Sequence, residues 1–357
     1  MILNDNAAVD LLTLSSMGVR MTPINRQPVH VSSQFEMHAT SAETNVLNVS
    51  ASLGLSTKVL TKFVEGSPIA RFIKGELRKR NIAFEGSDEE PEGPWGIRHQ
   101  INIADAGSGV RGPRVYNDRA GEVGRTITSE DFDINRIFNI DGCRIFHLSG
   151  LIASMSEETS ATCLKMVKAA KQSGTLVSFD LNYRASFWRG RKRELSKVFK
   201  DIASSSDILI GNEEDFQFAL GIEGPPVGGE GVSFEVDSYK RMIDNAADEY
   251  PQISVFANTL REVVSAEKHL WGAIMRDYGT WHVELPRPIH VLDRIGGGDG
   301  FVAGLLYAIL RKWPAEKWLK FAWATGALAT TMQTDYAAPI DEDEVWSIYE
   351  GNARVKR

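Results

Sequence analysis

Residues 293–310 read DRIGGGDGFVAGLLYAIL: three glycines in a row, an acid, then an apolar run. Glycine reaches backbone conformations closed to other residues, so Gly296, Gly297 and Gly298 allow successive N–H groups to converge on one point. The spacing of the apolar residues that follow, with Arg311 and Lys312 behind them, predicts a helix. A helix N-terminus carries partial positive charge and unpaired N–H donors, so this turn is suited to hold a phosphate. Asp299 then falls in the first helical turn. A carboxylate there accepts the proton of a hydroxyl attacking phosphorus, or it caps the helix; the spacing fits both.

Two further polar clusters stand at the ends of apolar runs. TLVSFDLN (175–182) closes on Asp180 and Asn182, followed by Tyr183 and Arg184, and DILIGN (207–212) closes on Asn212, followed by Glu213, Glu214 and Asp215. The run Asn212 to Asp215 by itself reads as a solvated acidic turn. The segment Gly107-Ser108-Gly109-Val110-Arg111-Gly112 fits GxGxxG, but Pro113 follows at once and no helix opens there. It reads as a hairpin tip, and a nicotinamide dehydrogenase would need that fingerprint after the first strand.

The elements that must position these groups alternate. LLTLSSMGVRM (11–21), STKVLTKF (56–63), RIFHLSG (144–150), 175–182, 207–212 and SVFANT (254–259) read as strands, and 42–54, 68–81 and 156–174 as helices. Near-continuous apolar strands alternating with helices imply a parallel sheet covered on both faces, with ligands beyond the carboxyl ends of its strands. PVHVSSQFEMHAT (28–40) and residues 95–118 alternate with period two and read as antiparallel ribbons projecting as a lid. GIEGPPVGGEGVS (221–233) reads as a surface loop.

Composition narrows the partners. The 357 residues are 43% hydrophobic and 24% charged, with a net charge of −7, which disfavours nucleic acid and anionic membrane surfaces. No run approaches the ~18 apolar residues of a membrane helix. Cys143 and Cys163 lack metal-spaced partners and read as reduced core thiols of a cytoplasmic protein.

The pattern Asp293-x-x-Gly296-x-Gly298-Asp299-x-Phe301-x-x-Gly304 resembles the C-terminal signature of the ribokinase-like (PfkB) carbohydrate kinases. SGLIASMS (149–156), SFDLNYRASFW (178–188), IGNEEDF (210–216), TLRE (259–262), RVYNDRA (114–120) and the tail ARVKR (353–357) resemble, in order and spacing, 2-keto-3-deoxygluconate kinases. The resemblance implies a ribokinase-like three-layer α/β/α sandwich, with a mostly parallel sheet in a single domain over 1–357. A small β-sheet lid, formed by about 24–41 and 93–118, would cover the sugar and pair two copies into a homodimer. The activity implied is ATP-dependent phosphorylation of a primary hydroxyl, with Mg2+, on 2-keto-3-deoxygluconate.

By that resemblance Asp299 is the general base, and the backbone of Gly296, Gly297 and Gly298 stabilises the transferring phosphoryl group. Asn212 and Asp215 stand at the ends of the family's Asn-x-x-Glu motif, with Asp in place of Glu. They, or Glu213 and Glu214, would hold Mg2+ through water. Thr259 and Arg261 would lie near the nucleotide phosphates, and the small residues of AWATGALATT (322–331) would admit adenine. Asn45 and Asp335 would lie near the sugar. Arg119 and Arg184, with Tyr116, would read the acid end of the substrate, as guanidinium forks do.

The chain departs from the family at the sugar end. Ser15-Ser16 replaces Gly-Glu after the first strand, Thr40-Ser41 replaces Gly-Gly, Arg98 aligns with a tyrosine, and GEVG (121–124) is unusual. Ser16, Thr40, Ser41 and Arg98 are therefore candidate sugar contacts. Three readings stay open: 2-keto-3-deoxygluconate held differently, another acidic or keto sugar, or a regulator that binds sugar or nucleotide without efficient turnover.

Overall fold

Consecutive strand residues point to opposite faces of a sheet, and the apolar pairs Leu11/Leu12, Ile145/Phe146, Ile208/Leu209 and Val255/Phe256 fill both faces here. The first of each pair belongs to one buried cluster and the second to another. A computed structural model describes residues 1–226 and 236–354. The loop expected over 221–233 lies from 227 on outside the described residues, as do the last three residues of the 353–357 tail.

Nine strands form the main sheet. In spatial order they are β15 (Thr280–His290), β14 (Lys268–Asp277), β13 (Val255–Ser265), β12 (Ile208–Gly211), β11 (Leu176–Asp180), β10 (Cys143–Ser149), β1 (Val9–Leu14), β4 (Thr57–Leu60) and β6 (Ile82–Glu85). The seven from β13 to β6 run parallel, and β14 and β15 are antiparallel. One face is covered by α4 (Glu157–Gln172), α6 (Lys192–Ala203) and α8 (Val236–Glu249), which bury Met166, Phe199 and Met242. The other is covered by α1 (Ala42–Ser52), α2 (Pro68–Lys79), α9 (Gly297–Leu310) and α10 (Ala315–Ala329), which bury Leu47, Ile73, Leu305 and Ala324. Short helices α3 (Gly150–Ala153), α5 (Ala185–Trp188) and α7 (Glu213–Asp215) follow β10, β11 and β12, and α11 (Glu342–Tyr349) ends the chain's regular structure.

The lid is a four-stranded sheet in the order β3 (Phe35–Thr40), β2 (Gly18–Pro23), β8 (Ile101–Asp105), β9 (Arg114–Asp118). A pair of two-residue strands, β5 (Phe63–Val64) and β7 (Asp88–Glu89), lies apart. The single strand expected over 11–21 is two strands in two sheets. The chain breaks at Ser15 and Ser16 because their hydroxyls bond sideways, to Ser41 and to Glu122. Gly18 then starts β2 against Gln100, where a Cβ would stand 2.1 Å from the Gln100 side chain. Within 28–40 only Phe35–Thr40 is strand, and Val29–Val31 forms a 3-10 turn. The GxGxxG segment is the turn between antiparallel β8 and β9.

The small residues of α10 serve close packing on the face turned toward α9. Cβ atoms at Gly300 and Gly304 of α9 would come within 2.8 Å of Ala329 and 2.0 Å of the Thr325 hydroxyl, and one at Gly326 within 2.7 Å of Trp271. The two helices approach backbone to backbone, so that face is filled by protein.

Candidate active site

Helix α9 begins at the rim where the parallel strands end. Gly296 is its N-cap, at φ 85°, and a Cβ there would lie 1.9 Å from the Asp335 carbonyl oxygen. Gly296 alone of the three glycines needs glycine's left-handed freedom; Gly297 and Gly298 already lie inside the first turn. No side chain caps this helix, whereas Ser41, Ser67 and Ser156 cap α1, α2 and α4. The first N–H groups of α9 have no intrahelical acceptor, so the turn is a ready seat for an anion.

Asp299 does not cap the helix. Its Oδ2 accepts a 2.7 Å hydrogen bond from Asn45 Nδ2 on α1, and no cation pairs with it among the described residues. Part of the residue is open to the cleft. Desolvation by the surrounding protein pushes its carboxyl up to about 8; the Asn45 bond works against this, and the charges of Asp180 and Asp335 add to it.

Asp180 ends β11 beside Ser149 of β10 and is buried. Burial raises its pKa as well. Asn182 sits at φ 39°, donates to Asp180 at 3.2 Å, and keeps a buried Oδ1 with no partner. Asp215 forms a reciprocal capping box with Asn212, and its carboxylate accepts a second backbone bond from Tyr183 N–H at 2.7 Å. Desolvation, then the charge of Asp180, pushes Asp215 up to about 7. No group of three His, Cys, Asp or Glu among the described residues could by itself hold a metal. The donor set is nonetheless all hard oxygen, with one orphaned acceptor. That fits Mg2+, which keeps waters and relies on one or two carboxylates plus substrate phosphates.

Across the rim Arg184, Arg261 and Arg294 are exposed, with Arg184 and Arg294 each within electrostatic reach of Arg261. His269 is buried beside Arg261 and Arg294; burial first, then those cations, lower its pKa to about 4, so it stays neutral. Thr259 stands half-buried on β13.

The expected sugar contacts are gathered but engaged with protein. Thr40 Oγ1 donates to Asp335 Oδ2 at 2.8 Å, and the other Asp335 oxygen accepts from Arg20. Ser41 is the N-cap of α1. Ser16 Oγ donates to Glu122 Oε1 at 2.6 Å, and Arg119 Nη1 donates to both oxygens of Glu122. Arg98 donates to Asp118 and the Ala120 carbonyl, and Tyr116 is 68% exposed on β9. Arg20, Glu122 and Arg294 join the site without a sequence cue, and Asp180 with one. The DLN strand end was the one available signal, for Asp180.

A sequence profile described as pfkB family carbohydrate kinase matches residues 5–341. A 2-dehydro-3-deoxygalactonokinase of Haloferax volcanii is 24% identical over 346 residues, 96% of this chain and 97% of that one. The crystal structure of a 2-dehydro-3-deoxygluconokinase from Thermotoga maritima superposes with a TM-score of 0.85 at 28% identity, covering 96% of this chain and 98% of its own. An Escherichia coli protein provisionally named ribokinase II, solved with ATP and Mg2+, shares the fold at a TM-score of 0.75 and 16% identity, over 96% and 99% of the two chains.

Proposed function

The chain belongs to the pfkB family of carbohydrate kinases and is a sugar kinase, and on that premise we propose that it passes the terminal phosphoryl group of ATP to the primary hydroxyl of a keto-sugar acid, 2-keto-3-deoxygluconate. The observation that carries this reading is Asp299: a carboxylate in no ion pair among the described residues, bonded to Asn45, at the uncapped start of α9.

The substrate hydroxyl donates a hydrogen bond to Asp299, whose second oxygen stays fixed by Asn45. As the hydroxyl oxygen bonds to phosphorus, its proton passes to Asp299. The bond from phosphorus to the bridging oxygen breaks, and that electron pair leaves with ADP. The N–H groups of Gly297 and Gly298 face the charge on the transferring group, which costs no reorganisation because the helix fixes them beforehand. Arg261 and Arg294 hold the polyphosphate and Thr259 borders it, while Arg184, with Arg119, serves the acid end of the sugar. Asp180, Asn182, Asn212 and Asp215, with Glu213 and Glu214 beside them, would hold Mg2+, directly or through water. Bound there, the ion neutralises phosphate charge. Thr40, Asn45 and Asp335 line the sugar end, and the lid excludes water so that ATP is not wasted on hydrolysis. The exposed apolar residues of the lid, Val31, Met37 and Val115 among them, support pairing of two copies there.

A coupled ADP-release assay over acidic and neutral keto sugars tests the reading. ATP-dependent turnover of 2-keto-3-deoxygluconate is expected. ATP binding without turnover of any sugar would favour a regulator.

A further inference from the structure

Glu122 carries a role that nothing above assigns. Its side chain is 1% exposed, and it lies between Ser16, at the end of the first strand, and Arg119, which the resemblance expects at the acid end of the substrate. The backbone fixes it there. Arg98 N–H donates to the Gly121 carbonyl at 2.7 Å, Val123 N–H donates to the Arg98 carbonyl at 2.9 Å, and Gly124 is pressed on Ser16 so closely that a Cβ would stand 1.9 Å from its hydroxyl. The unusual segment 121–124 is thus wedged under the end of β1. Glu122 thus sets a carboxylate against Ser16, the position at which the resembling family carries Glu.

The way Glu122 grips Arg119 decides what it does. A carboxylate meant only to cancel a guanidinium takes two nitrogens in parallel, fork to fork. Here a single nitrogen, Nη1, serves both oxygens, at 2.8 and 3.0 Å. The Nε donor on the opposite edge is buried and has no partner. Such a donor carries its full desolvation cost until an acceptor arrives. The guanidinium plane is fixed too, lying 5.3 Å from the ring of Phe187, three residues beyond Arg184.

We infer that Glu122 is a positioning residue, which pins Arg119 by Nη1 so that its Nε–Nη2 edge receives the carboxylate of an acidic keto sugar. This rests on the kinase reading above and extends it to the substrate's charge. A charge-assisted bond of this kind is worth about 1.5–3 kcal/mol, or roughly 10- to 100-fold in affinity.

The test compares wild type, Glu122→Gln, Glu122→Ser and the reciprocal double variant Ser16→Glu/Glu122→Ser. KM and kcat are measured on 2-keto-3-deoxygluconate and on a neutral keto sugar such as fructose. Calorimetric binding of the sugar acid runs in parallel. Glu122→Ser is expected to raise KM for the acid roughly 10- to 100-fold, with a much smaller change in kcat and in KM for ATP. Glu122→Gln, which keeps the shape should Glu122→Ser fold poorly, moves the same way. The double variant is expected to recover the acid, because it restores a carboxylate at the same contact.

Tighter acid binding in Glu122→Gln would show that Glu122 competes with the substrate, and would overturn the inference. Absence of rescue in the double variant would do the same. Turnover of neutral sugars only would overturn the inference and the acidic substrate proposed above, and leave sugar-kinase activity itself standing. Failure to turn over any sugar would sink the kinase reading, while calorimetry would still decide whether Glu122 governs binding of the acid.

Discussion

At the scale of single residues, the base sets the pH dependence. Asp299 in the free protein titrates near 8, well above an ordinary carboxylate, because protein surrounds it. It accepts a proton only when ionised, so activity must rise with pH until that value is passed. The profile of kcat/KM reports the free enzyme. It is expected to climb about tenfold per pH unit from pH ~6 and to level off above ~8. Asp299→Asn should lower kcat by roughly 10²- to 10⁴-fold and leave ATP affinity nearly unchanged. A flat profile in wild type, or near-normal kcat in the variant, would reduce Asp299 to a bystander. This residue was legible in the sequence because the groups that define it lie within a few positions: Gly296 makes the turn, α9 supplies the dipole, and Asp299 sits in between. Arg20 and Glu122 were not legible. Arg20 meets Asp335 across 315 residues, and Ser16 meets Glu122 across 106, so no local spacing announces either contact.

At the scale of elements, the alternating strands and helices of the parallel region were legible because each carries its own period and cap, as Ser156 and Gly174 do for α4. The β14–β15 hairpin escaped because its signal is only the positive-φ pair Tyr278-Gly279 between long, mixed strands. The lid was legible as ribbons but not as a sheet; its central contact, parallel β2 on β8, joins segments about eighty residues apart. Its outer strand β9 pairs with β8 along one edge and is exposed on both faces. Val115 is 52% exposed and Tyr116 68%, on opposite faces of an edge with nothing beyond it. Natural sheets rarely leave such an edge bare unless something covers it, and a second lid would. Equilibrium sedimentation is expected to give twice the mass of the chain, and Val115→Glu to shift it toward a single copy. A wild-type protein that sediments as one chain at micromolar concentration would rule out pairing of this kind.

At the scale of the whole molecule, Arg20 is what ties the lid to the body. It stands on lid strand β2, is 1% exposed, and pairs with Asp293 at the entrance to α9 and with Asp335 beside Gly296. Asp335 in turn accepts from Thr40, at the foot of β3. One guanidinium therefore fixes the lid strands β2 and β3 over the phosphate turn, and the lid cannot shift without disturbing the bend that seats the anion. Arg20→Met removes the cation and leaves two buried carboxylates facing each other. Breaking a buried pair from one side costs roughly 3–5 kcal/mol, so urea unfolding at neutral pH should show a loss of that size. The loss should also depend on pH in a particular direction. Asp293 already stands above the usual carboxylate range through desolvation, even with Arg20 beside it, and without Arg20 it must rise further. Unfolded, it titrates near ~4. Between that value and its folded pKa, the native protein holds a proton that the unfolded chain has shed, so stability falls as pH rises through this window. The deficit of Arg20→Met relative to wild type is thus expected to be small near pH ~4.5 and to widen toward pH ~8. A deficit independent of pH would mean that Arg20 contributes packing alone, and that the lid is held to the body by other contacts.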